Sequence, residues 1–456
     1  MRPEEFFKRA GLKPRPQQLE VSEELARMLD SGSVGLEAPP GFGKTIATLI
    51  ALMAREEFPV TWKVRTYRLA RHIADQCSLL DLRYFIMAGR ERTCPLKDEY
   101  GSNLHVYCKN LKFKCPYFRD ISSVNVDLGK AFSYEDLPKN ACSYYLQQLV
   151  RAKVYIAPYY IGLRIPGLEV YDEAHNLVLE IGSIPVTKVK EALSELGLDP
   201  SRDYIDAISE LEVKLTEKLE RGEKPLVAGK VLSALRNATI LWREQHSIHM
   251  LKLRKPLFKS IFISATLSPL EKIFKVPIIR IPPVKRKALL VNWVTTRFAE
   301  WDVRMAEEIN DVIFLLRKYF RRIAIFGTER VLSMLKYNYF EDEVENKDDW
   351  DVAAFLSRGR RSEGVNLRAD CVVLAGAFFL PPDLKLEKVG VTRHDVATIV
   401  AIQNIGRVVR TPSDMPLIIL ADERFRELKD LANYLDIEEV NDLKSLDALL
   451  RRYHAR

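Results

Sequence analysis

The stretch Ala38 to Thr45, APPGFGKT in one-letter code, determines how the first part of this chain is expected to fold. An apolar run, Val34 to Leu36, precedes the stretch, and an alanine- and leucine-rich run, Ile46 to Ala54, follows it. Such a pattern predicts a strand, a tight turn and a helix. Ala38 stands where the general phosphate-loop pattern has its first glycine, so an ordinary strand-to-helix turn is the alternative interpretation.

Four residues of this stretch suit the binding of ATP together with Mg²⁺. Gly41 and Gly43 carry no Cβ atom, so their N–H groups can close around phosphate oxygens. The helix that begins near Lys44 directs its positive end at the same point, and the Lys44 ammonium adds a mobile cation. The Thr45 hydroxyl can bind Mg²⁺. The sequence therefore predicts a nucleotide site at this turn.

The composition excludes several classes of protein. With 456 residues the chain is too long for one hydrophobic core, and its hydrophobic fraction of 47% is typical of globular proteins. The sequence contains no apolar run near the roughly 20 residues that cross a bilayer, and it begins without the apolar segment of a signal peptide. We expect an intracellular, cytoplasmic protein that acts as a monomer away from membranes. Its net charge of +8 favours a partner made of phosphate.

The segment Asp172-Glu-Ala-His175 follows an apolar run and supplies the second half of a nucleotide site. Asp172 is expected to hold Mg²⁺ directly or through water, and Glu173 to polarise the water that attacks the γ-phosphate. His175 is placed to link that event to a neighbouring domain. An Asp-Glu pair after a strand is common by chance, but here it follows a phosphate loop in the same chain.

Two further segments offer ligands for a nucleotide. Residues 403–410, QNIGRVVR, place Arg407 and Arg410 three residues apart, on one face of a predicted helix, from which they can reach a phosphate across a cleft. The alternative, a basic surface helix, is weakened by the apolar residues between the two arginines. In residues 15–18, RPQQ, Arg15 and Gln18 could reach the adenine or the phosphates, the alternative being a solvated helix start.

Five of the six cysteines fall in the first third of the chain, and in an intracellular protein such a group indicates a metal before it indicates disulfides. Four thiolates from Cys94, Cys108, Cys115 and Cys142 could hold an iron–sulfur cluster or, as a tetrahedral set, zinc. Four buried cysteines without a metal are the third alternative. Cys77 and Cys371 lie in apolar segments and are expected to pack in the core.

The alternation of apolar runs and helical patterns predicts an α/β protein with two doubly wound parallel-sheet domains in tandem. In the second half, runs at 322–327, 352–356, 371–376 and 416–421 predict strands of a parallel sheet that is covered on both faces. We assign residues 1–88, 151–176 and 251–285 to domain 1 and residues 286–456 to domain 2. Residues 89–150 form a cysteine-rich first insertion, and residues 177–250 a small, mostly helical second insertion.

Basic and aromatic residues alternate around the cysteines of the first insertion. Basic side chains can follow a nucleic-acid backbone while aromatic rings stack on bases, so this set predicts contact with single-stranded nucleic acid. The alternative is a small metal-nucleated core with a solvated basic rim. The residues concerned are Arg90, Arg92, Lys97, Lys109, Lys112, Lys114, Tyr100, Tyr107, Phe113, Tyr117 and Phe118.

Six segments, taken together and in this order, resemble the motifs of a superfamily 2 helicase. They are RPQQ at 15–18, APPGFGKT at 38–45, DEAH at 172–175, SATL at 264–267, GRRSEGVN at 359–366 and QNIGRVVR at 403–410. The four cysteines between the phosphate loop and DEAH resemble those of the XPD/DinG family of iron–sulfur helicases, and an archaeal XPD-like member of that family is the closest description.

The resemblance implies two RecA-like domains and an insertion in which Cys94, Cys108, Cys115 and Cys142 hold a [4Fe–4S] cluster. It also implies ATP- and Mg²⁺-dependent movement from 5′ to 3′ on single-stranded DNA, with duplex opening at single-strand/double-strand junctions. Nucleotide excision repair, together with other repair proteins, is the setting that the family often serves.

Further site residues follow from the resemblance alone. Gln403 and Glu363 are expected near the nucleotide, with Arg407 and Arg410 completing the site from the second domain. Ser264 and Thr266 are expected to couple hydrolysis to domain closure.

Two features depart from the family pattern. Six residues separate Cys108 from Cys115, where the family often has two, and the second insertion is short for the arch that closes over DNA. Two alternatives therefore stand beside the helicase. One is a DNA-stimulated ATPase that remodels nucleic acid with little unwinding, and the other is a scaffold subunit whose ATPase serves as a switch.

Overall fold

The computed structural model describes most of the chain. The described residues are 2–119, 121, 128–177, 180–201, 204–236, 238–244, 246–337, 350–357, 367–381, 386, 390–409 and 414–454. Two positions predicted as site residues, Glu363 and Arg410, lie outside these ranges, as does the whole of the 359–366 motif. Within the described ranges no helix has both the length and the apolarity that a membrane crossing needs.

The helices of the described chain are α1 (Pro3–Arg9), α2 (Gln18–Met28), α3 (Lys44–Arg55), α4 (Tyr67–Leu79), α5 (Arg90–Thr93), α6 (Lys97–Tyr100), α7 (Leu104–Asn110), α8 (Pro116–Arg119), α9 (Ser143–Leu146), α10 (Val186–Glu195), α11 (Tyr204–Glu220), α12 (Ala228–Leu235), α13 (Ser268–Phe274), α14 (Val303–Leu316), α15 (Glu329–Leu332), α16 (Arg393–Ile405) and α17 (Leu443–His454). The strands are β1 (Val34–Glu37), β2 (Val60–Val64), β3 (Tyr84–Ile86), β4 (Val154–Pro158), β5 (Leu168–Asp172), β6 (Glu180–Pro185), β7 (Ile240–Glu244), β8 (Ser247–Lys252), β9 (Ser260–Ser264), β10 (Ile278–Arg280), β11 (Arg286–Val291), β12 (Ile323–Gly327), β13 (Val352–Leu356), β14 (Cys371–Ala375), β15 (Leu417–Leu420) and β16 (Leu435–Val440).

The first sheet has seven strands in the order β10-β1-β9-β5-β2-β4-β3. The pairs β2–β4, β2–β5, β3–β4 and β5–β9 are parallel. Every side chain of β2, β4 and β9 is buried, which explains why the apolar residues of β4 and β9 are consecutive rather than alternating with polar ones. The strand order is not the chain order, so this sheet is wound in both directions as predicted.

The second sheet has six strands in the order β13-β12-β14-β15-β11-β16, and all five pairs are parallel. One hydrophobic cluster covers each face. Ile325, Val373 and Ile419 belong to the first cluster, and the neighbouring residues Phe326, Val372 and Ile418 to the second. Alternate residues of the same strands thus enter opposite cores, which confirms the predicted parallel sheet with both faces covered.

Two strands of this sheet, and the composition of the second insertion, differ from the prediction. Neither β11 nor β16 was predicted, and β16 carries exposed charged residues on an edge strand. The second insertion is not mostly helical, because β6, β8 and β7 form a three-stranded antiparallel sheet beside its helices. These strands are only five or six residues long. The leucine spacing of α11 is a longer and stronger pattern, which is why the sequence predicts a mostly helical insertion.

The two insertions share one hydrophobic core. Tyr107, Leu111 and Cys115 of the first insertion are buried in the same cluster as Leu211 and Leu232 of the second. Cys142, near the end of the first insertion, lies in a different cluster, with Phe85 and Ala157 of β3 and β4. The first insertion therefore packs on two cores at once.

The whole chain divides into two compact units. The first comprises Met1–Gly35 and Thr45–Ile263, and the second comprises Leu36–Lys44 and Ser264–Arg456. Both insertions belong to the first unit, and the second sheet to the second unit.

Candidate functional site

The phosphate-loop stretch has the predicted form, since β1 ends at Glu37 and α3 begins at Lys44. Gly41 and Gly43 have φ angles of 78° and 87°, in the left-handed region that only glycine adopts at no steric cost. Lys44 Nζ donates to the carbonyl oxygens of Ala38 at 2.8 Å and Pro39 at 3.2 Å. The ammonium of Lys44 therefore lies over the loop, at the positive end of α3.

A half-buried carboxylate, which no sequence motif indicated, fixes the start of this loop. Glu37 Oε2 accepts a hydrogen bond from the backbone N–H of Leu267 at 2.6 Å, and Glu37 Oε1 lies 3.3 Å from the hydroxyl of Tyr434. The next residue, Ala38, donates its N–H to the carbonyl oxygen of Ser264 at 3.2 Å. Burial raises the pKa of the Glu37 carboxyl, although the Leu267 N–H opposes that shift. The 264–267 segment thus lies directly beside the phosphate loop.

Asp172 is the last residue of β5, and Glu173 follows in an unusual backbone conformation with a φ of 51°. The backbone N–H of Glu173 donates to Asp172 Oδ1 at 3.0 Å. Glu173 Oε2 lies 3.4 Å from His175 Nδ1, and His175 is buried. A non-glycine residue in the left-handed region is strained, which is common at functional sites. The structure therefore brings Asp172, Glu173 and His175 together.

Tyr159 was also missed, although it supports the backbone of Asp172. Its hydroxyl donates to the Asp172 carbonyl oxygen at 2.6 Å, and its ring lies against Tyr171 with 5.7 Å between ring centroids. Burial raises the pKa of the Tyr159 hydroxyl well above its usual value, and the negative charges of Asp172 and Glu173 raise it further. The hydroxyl therefore keeps its proton and remains a donor.

Asn176 is the third residue that no sequence motif indicated. It connects Arg65, which follows β2, to Glu173, which follows the neighbouring strand β5. Arg65, one residue beyond the end of β2, donates from Nη1 to Asn176 Oδ1 at 2.9 Å. Asn176 Nδ2 and its backbone N–H both donate to the Glu173 carbonyl oxygen at 3.0 Å. No periodic pattern reveals this contact, since 111 residues separate Arg65 from Asn176.

The prediction that Arg407 lies on a face of a helix is wrong. α16 ends at Ile405, and Arg407 lies in the turn that follows, with its N–H donating to the Asn404 carbonyl oxygen. Gly406 occupies the C-cap position, and glycine disfavours continuation of a helix. Arg407 is nevertheless buried, and its guanidinium lies 5.4 Å from the centroid of the Phe326 ring.

Gln403, on the last turn of α16, donates from Nε2 to Thr266 Oγ1 at 3.4 Å within the second unit. Ser264 and Thr266 are both buried. The structure thus brings together Gln403 and Thr266, two residues that the sequence analysis selected from different motifs.

Arg15 and Gln18 contact each other, because the backbone N–H of Arg15 donates to Gln18 Oε1 at 3.0 Å. Gln18 is buried at the start of α2, and the preceding Gln17 has a left-handed φ of 61°. The Gln18 amide therefore fixes the turn that leads into α2.

The four cysteines of the first insertion have interacting thiols. Burial raises the pKa of Cys142 to about 11, and the proximity of Cys108, Cys94 and Cys115 adds to the shift. Burial likewise raises the pKa of Cys94 to about 11, with Cys108 and Cys115 adding to it. Across the described ranges, however, no group of three or more His, Cys, Asp or Glu side chains has an arrangement suited to a metal ion. Cys77 and Cys371 are fully buried, in α4 and β14.

The basic and aromatic residues around the cysteines divide into two groups. Arg90 and Arg92 lie over the rings of Tyr144 and Tyr67, with centroid distances of 4.1 Å and 3.9 Å. Arg90 Nε also lies 3.0 Å from Cys108 Sγ. These arginines are therefore part of the packing of the insertion.

The remaining lysines and Phe113 either face solvent or form ion pairs with glutamates of the second insertion. Lys112 Nζ lies 4.9 Å from the centroid of Phe113, whose side chain is 72% exposed. Lys109 and Lys114 form ion pairs of 2.6 Å and 3.0 Å with Glu212 and Glu220 of α11. Phe113 is consequently the exposed ring of this set, with the half-buried Lys112 beside it, and Lys97 is a further exposed cation.

No protein-family model matches the sequence, and no curated protein matches it. Solved structures do match the fold. A structure named XPD_Helicase is 17% identical, covers 94% of this chain and 100% of its own, and gives a TM-score of 0.70. The structure of S. tokodaii Xpd4 is 16% identical over 93% of this chain and 100% of its own, with a TM-score of 0.60. A structure named XPD_APO is also 16% identical, over 93% and 100%, with a TM-score of 0.59. The chain therefore shares the fold of these structures.

Proposed function

We propose that this chain is an ATP-dependent DNA helicase of the XPD type, which moves from 5′ to 3′ on single-stranded DNA. One observation carries the proposal: a glycine phosphate loop with Lys44 over it and an Asp172-Glu173 pair both follow strands of one sheet, in a fold shared with XPD structures. These are the two halves of a site for phosphoryl transfer.

The chemistry assigned to each residue follows from its surroundings. Lys44 exchanges the carbonyl oxygens of Ala38 and Pro39 for phosphate oxygens when ATP binds, while Gly41 and Gly43 donate backbone N–H groups. Thr45 and Asp172 hold Mg²⁺, and Glu173 orients the attacking water. In phosphoryl transfer, such positioning and charge stabilisation supply most of the catalysis.

Gln403 and Arg407 lie in the same compact unit as the phosphate loop, and they are proposed to report on the nucleotide and to stabilise its transition state. Arg407 is buried against Phe326, which limits the directions in which its guanidinium can move. Gln403 contacts Thr266, and Ala38 contacts Ser264, so the 264–267 segment connects α16 to the start of the phosphate loop. Glu363 and Arg410 complete the proposed site, and Arg15 and Gln18 are proposed to contact the adenine.

The cysteines fit a [4Fe–4S] cluster in the chemistry of their donors. The other three thiols are close enough to Cys142 to raise its pKa, and the Arg90 guanidinium beside Cys108 suits a thiolate. A bound cluster would tie Cys94, Cys108, Cys115 and Cys142 into one rigid body. Protein purified without oxygen should contain about four irons and four sulfides per chain, whereas zinc in their place would overturn the assignment.

A translocase that hydrolyses ATP on DNA with little unwinding is the second candidate. The pairing of Lys109 and Lys114 with Glu212 and Glu220 favours it, because these lysines are then neutralised rather than directed at a DNA backbone. Lys112 and Phe113 are the proposed contacts with a single strand or junction. DNA repair remains the proposed setting.

An unwinding assay distinguishes the two candidates. Duplexes with a 5′ single-stranded tail, a 3′ tail or no tail would be incubated with the protein, ATP and Mg²⁺, and strand separation followed by fluorescence. The helicase proposal predicts separation of the 5′-tailed duplex alone. ATP hydrolysis without separation of any substrate would leave the translocase, and separation of the 3′-tailed duplex alone would contradict the proposed direction.

A further inference from the structure

Asn176 joins the Arg65 cation, beyond the end of β2, to the backbone of the proposed catalytic residue Glu173, beyond the end of β5. Its amide oxygen accepts from Arg65 Nη1 at 2.9 Å, and its amide nitrogen donates to the Glu173 carbonyl oxygen at 3.0 Å. An asparagine side chain has both an acceptor and two donors, so it can make these two contacts together. The relay Arg65–Asn176–Glu173 lies entirely within the first unit.

The two ends of this relay are suited to different ligands, a nucleic-acid phosphate at Arg65 and the attacking water at Glu173. β2 and β5 are neighbouring parallel strands, with Lys63 opposite Tyr171, so Arg65 and the Asp172-Glu173 pair follow the same ends of adjacent strands. A half-buried arginine just beyond a strand end is suited to bind a phosphate of a nucleic-acid backbone, bidentately and with its charge retained. Glu173, at the other end, is the residue proposed to orient the water.

We infer that Asn176 is a positioning residue through which a DNA phosphate bound at Arg65 raises the rate of ATP hydrolysis at Glu173. The inference rests on the proposed function. A phosphate is a stronger acceptor for a guanidinium than a neutral amide oxygen, so it displaces Asn176 from Arg65. Asn176 then turns, and it carries with it the carbonyl group of Glu173 to which it donates.

The state of Glu173 explains why this small movement matters. Its backbone has a φ of 51°, and its carboxylate oxygen Oε2 lies 3.4 Å from His175 Nδ1. A strained residue is held in place by its surroundings, and two of the contacts that hold it come from Asn176. Moving these contacts shifts the Glu173 backbone and allows the Glu173 carboxylate to turn from His175 towards the water.

Two substitutions at Asn176 test the relay. Asn176→Ala removes both side-chain bonds, whereas Asn176→Asp keeps the size of the side chain and the acceptor for Arg65 but loses the donor to Glu173. The rate of ATP hydrolysis would be measured without DNA and at saturating single-stranded DNA, and the dissociation constant for the same oligonucleotide by fluorescence anisotropy. Both variants should lower the ratio of the two rates by about tenfold. Asn176→Ala should not weaken DNA binding.

Three controls make the result specific. The double variant Arg65→Gln/Asn176→Ala should have the same ratio as Asn176→Ala alone, because residues that act through one another are not additive. Arg68→Gln removes an exposed positive charge on α4 and should leave the ratio unchanged. Thermal unfolding shows whether each variant is folded, and Asn176→Asp carries the test if Asn176→Ala is not.

The outcomes separate this inference from the proposed function. A wild-type protein whose ATP hydrolysis is absent or unaffected by DNA overturns both. Stimulation that persists in both Asn176 variants overturns the inference and leaves the proposed function intact. Weaker DNA binding by Asn176→Ala, in step with its loss of stimulation, would make Asn176 a contact with DNA and likewise overturn the relay.

Discussion

The two insertions approach each other closely at Gly229, and Gly229→Ala tests their shared core. A Cβ atom added at Gly229 would lie 2.8 Å from the backbone carbon and oxygen of Ser102, and it would also meet the Asn103 side chain. Ordinary contacts of carbon are about 3.5 to 4.0 Å, so α12 would have to move away from residues 101–103 by about 0.7 Å. Asn103 is buried and donates from Nδ2 to the Pro225 carbonyl oxygen at 2.6 Å, a bond that this movement would break.

The sign of the effect distinguishes this account from helix propensity alone. In a helix interior, Gly→Ala normally stabilises by about 1 kcal/mol. Here overpacking costs about 1–3 kcal/mol, and loss of the Asn103 bond costs about 1 kcal/mol more. The net expectation is a destabilisation of about 1–3 kcal/mol, which lowers the melting temperature of a unit of this size by about 2 to 12 °C.

The assay is thermal unfolding followed by circular dichroism, with hydrogen exchange of α7 and α12 measured in parallel. Ser233→Ala, at an exposed position of the same helix, is the matched control and should raise stability slightly. Gly229→Ala should speed exchange in both helices, since they share one core. A Gly229→Ala protein as stable as the wild type, or more stable, would refute the close approach of the two insertions.

Two further predictions concern the nucleotide site. Tyr159→Phe removes the donor to the Asp172 carbonyl oxygen. It should lower kcat for ATP hydrolysis by about tenfold with little change in KM. An unchanged kcat would refute the supporting role of Tyr159. Burial raises the pKa of Glu37, so the folded protein holds this proton more tightly than the unfolded chain, and stability should fall as the pH rises from the unfolded value near 4.5 through the folded pKa. Glu37→Gln should remove that part of the pH dependence in denaturation experiments. Glu20→Gln, at an exposed carboxyl on α2, is the control and should retain it. Equal slopes of the free energy of unfolding against pH in the two variants would contradict this prediction.

The parts of the fold that the sequence predicted have strong local patterns. β4, β12 and β14 are buried on both faces, so their apolar runs are continuous, and the phosphate loop is specified by glycines that must adopt left-handed backbone angles. The Asp172-Glu173 pair also lies where the pattern placed it, at the end of a buried strand.

The parts that the sequence did not predict depend on weak or long-range information. β16 is an edge strand with exposed charges, and the strands of the second insertion are too short to outweigh the helical spacing of α11. Arg407 leaves the helix because Gly406 ends it, a local signal that was available. Tyr159 and Asn176 could not be found in this way, because their importance lies in hydrogen bonds to distant segments.

The most direct test of the central claim is the rate of ATP hydrolysis with and without single-stranded DNA, in the wild type and in Lys44→Ala. The account predicts Mg²⁺-dependent hydrolysis that rises when DNA is added, and loss of hydrolysis in Lys44→Ala with folding and DNA binding retained. Wild-type protein that binds DNA but does not hydrolyse ATP, or a Lys44→Ala variant as active as the wild type, would contradict it.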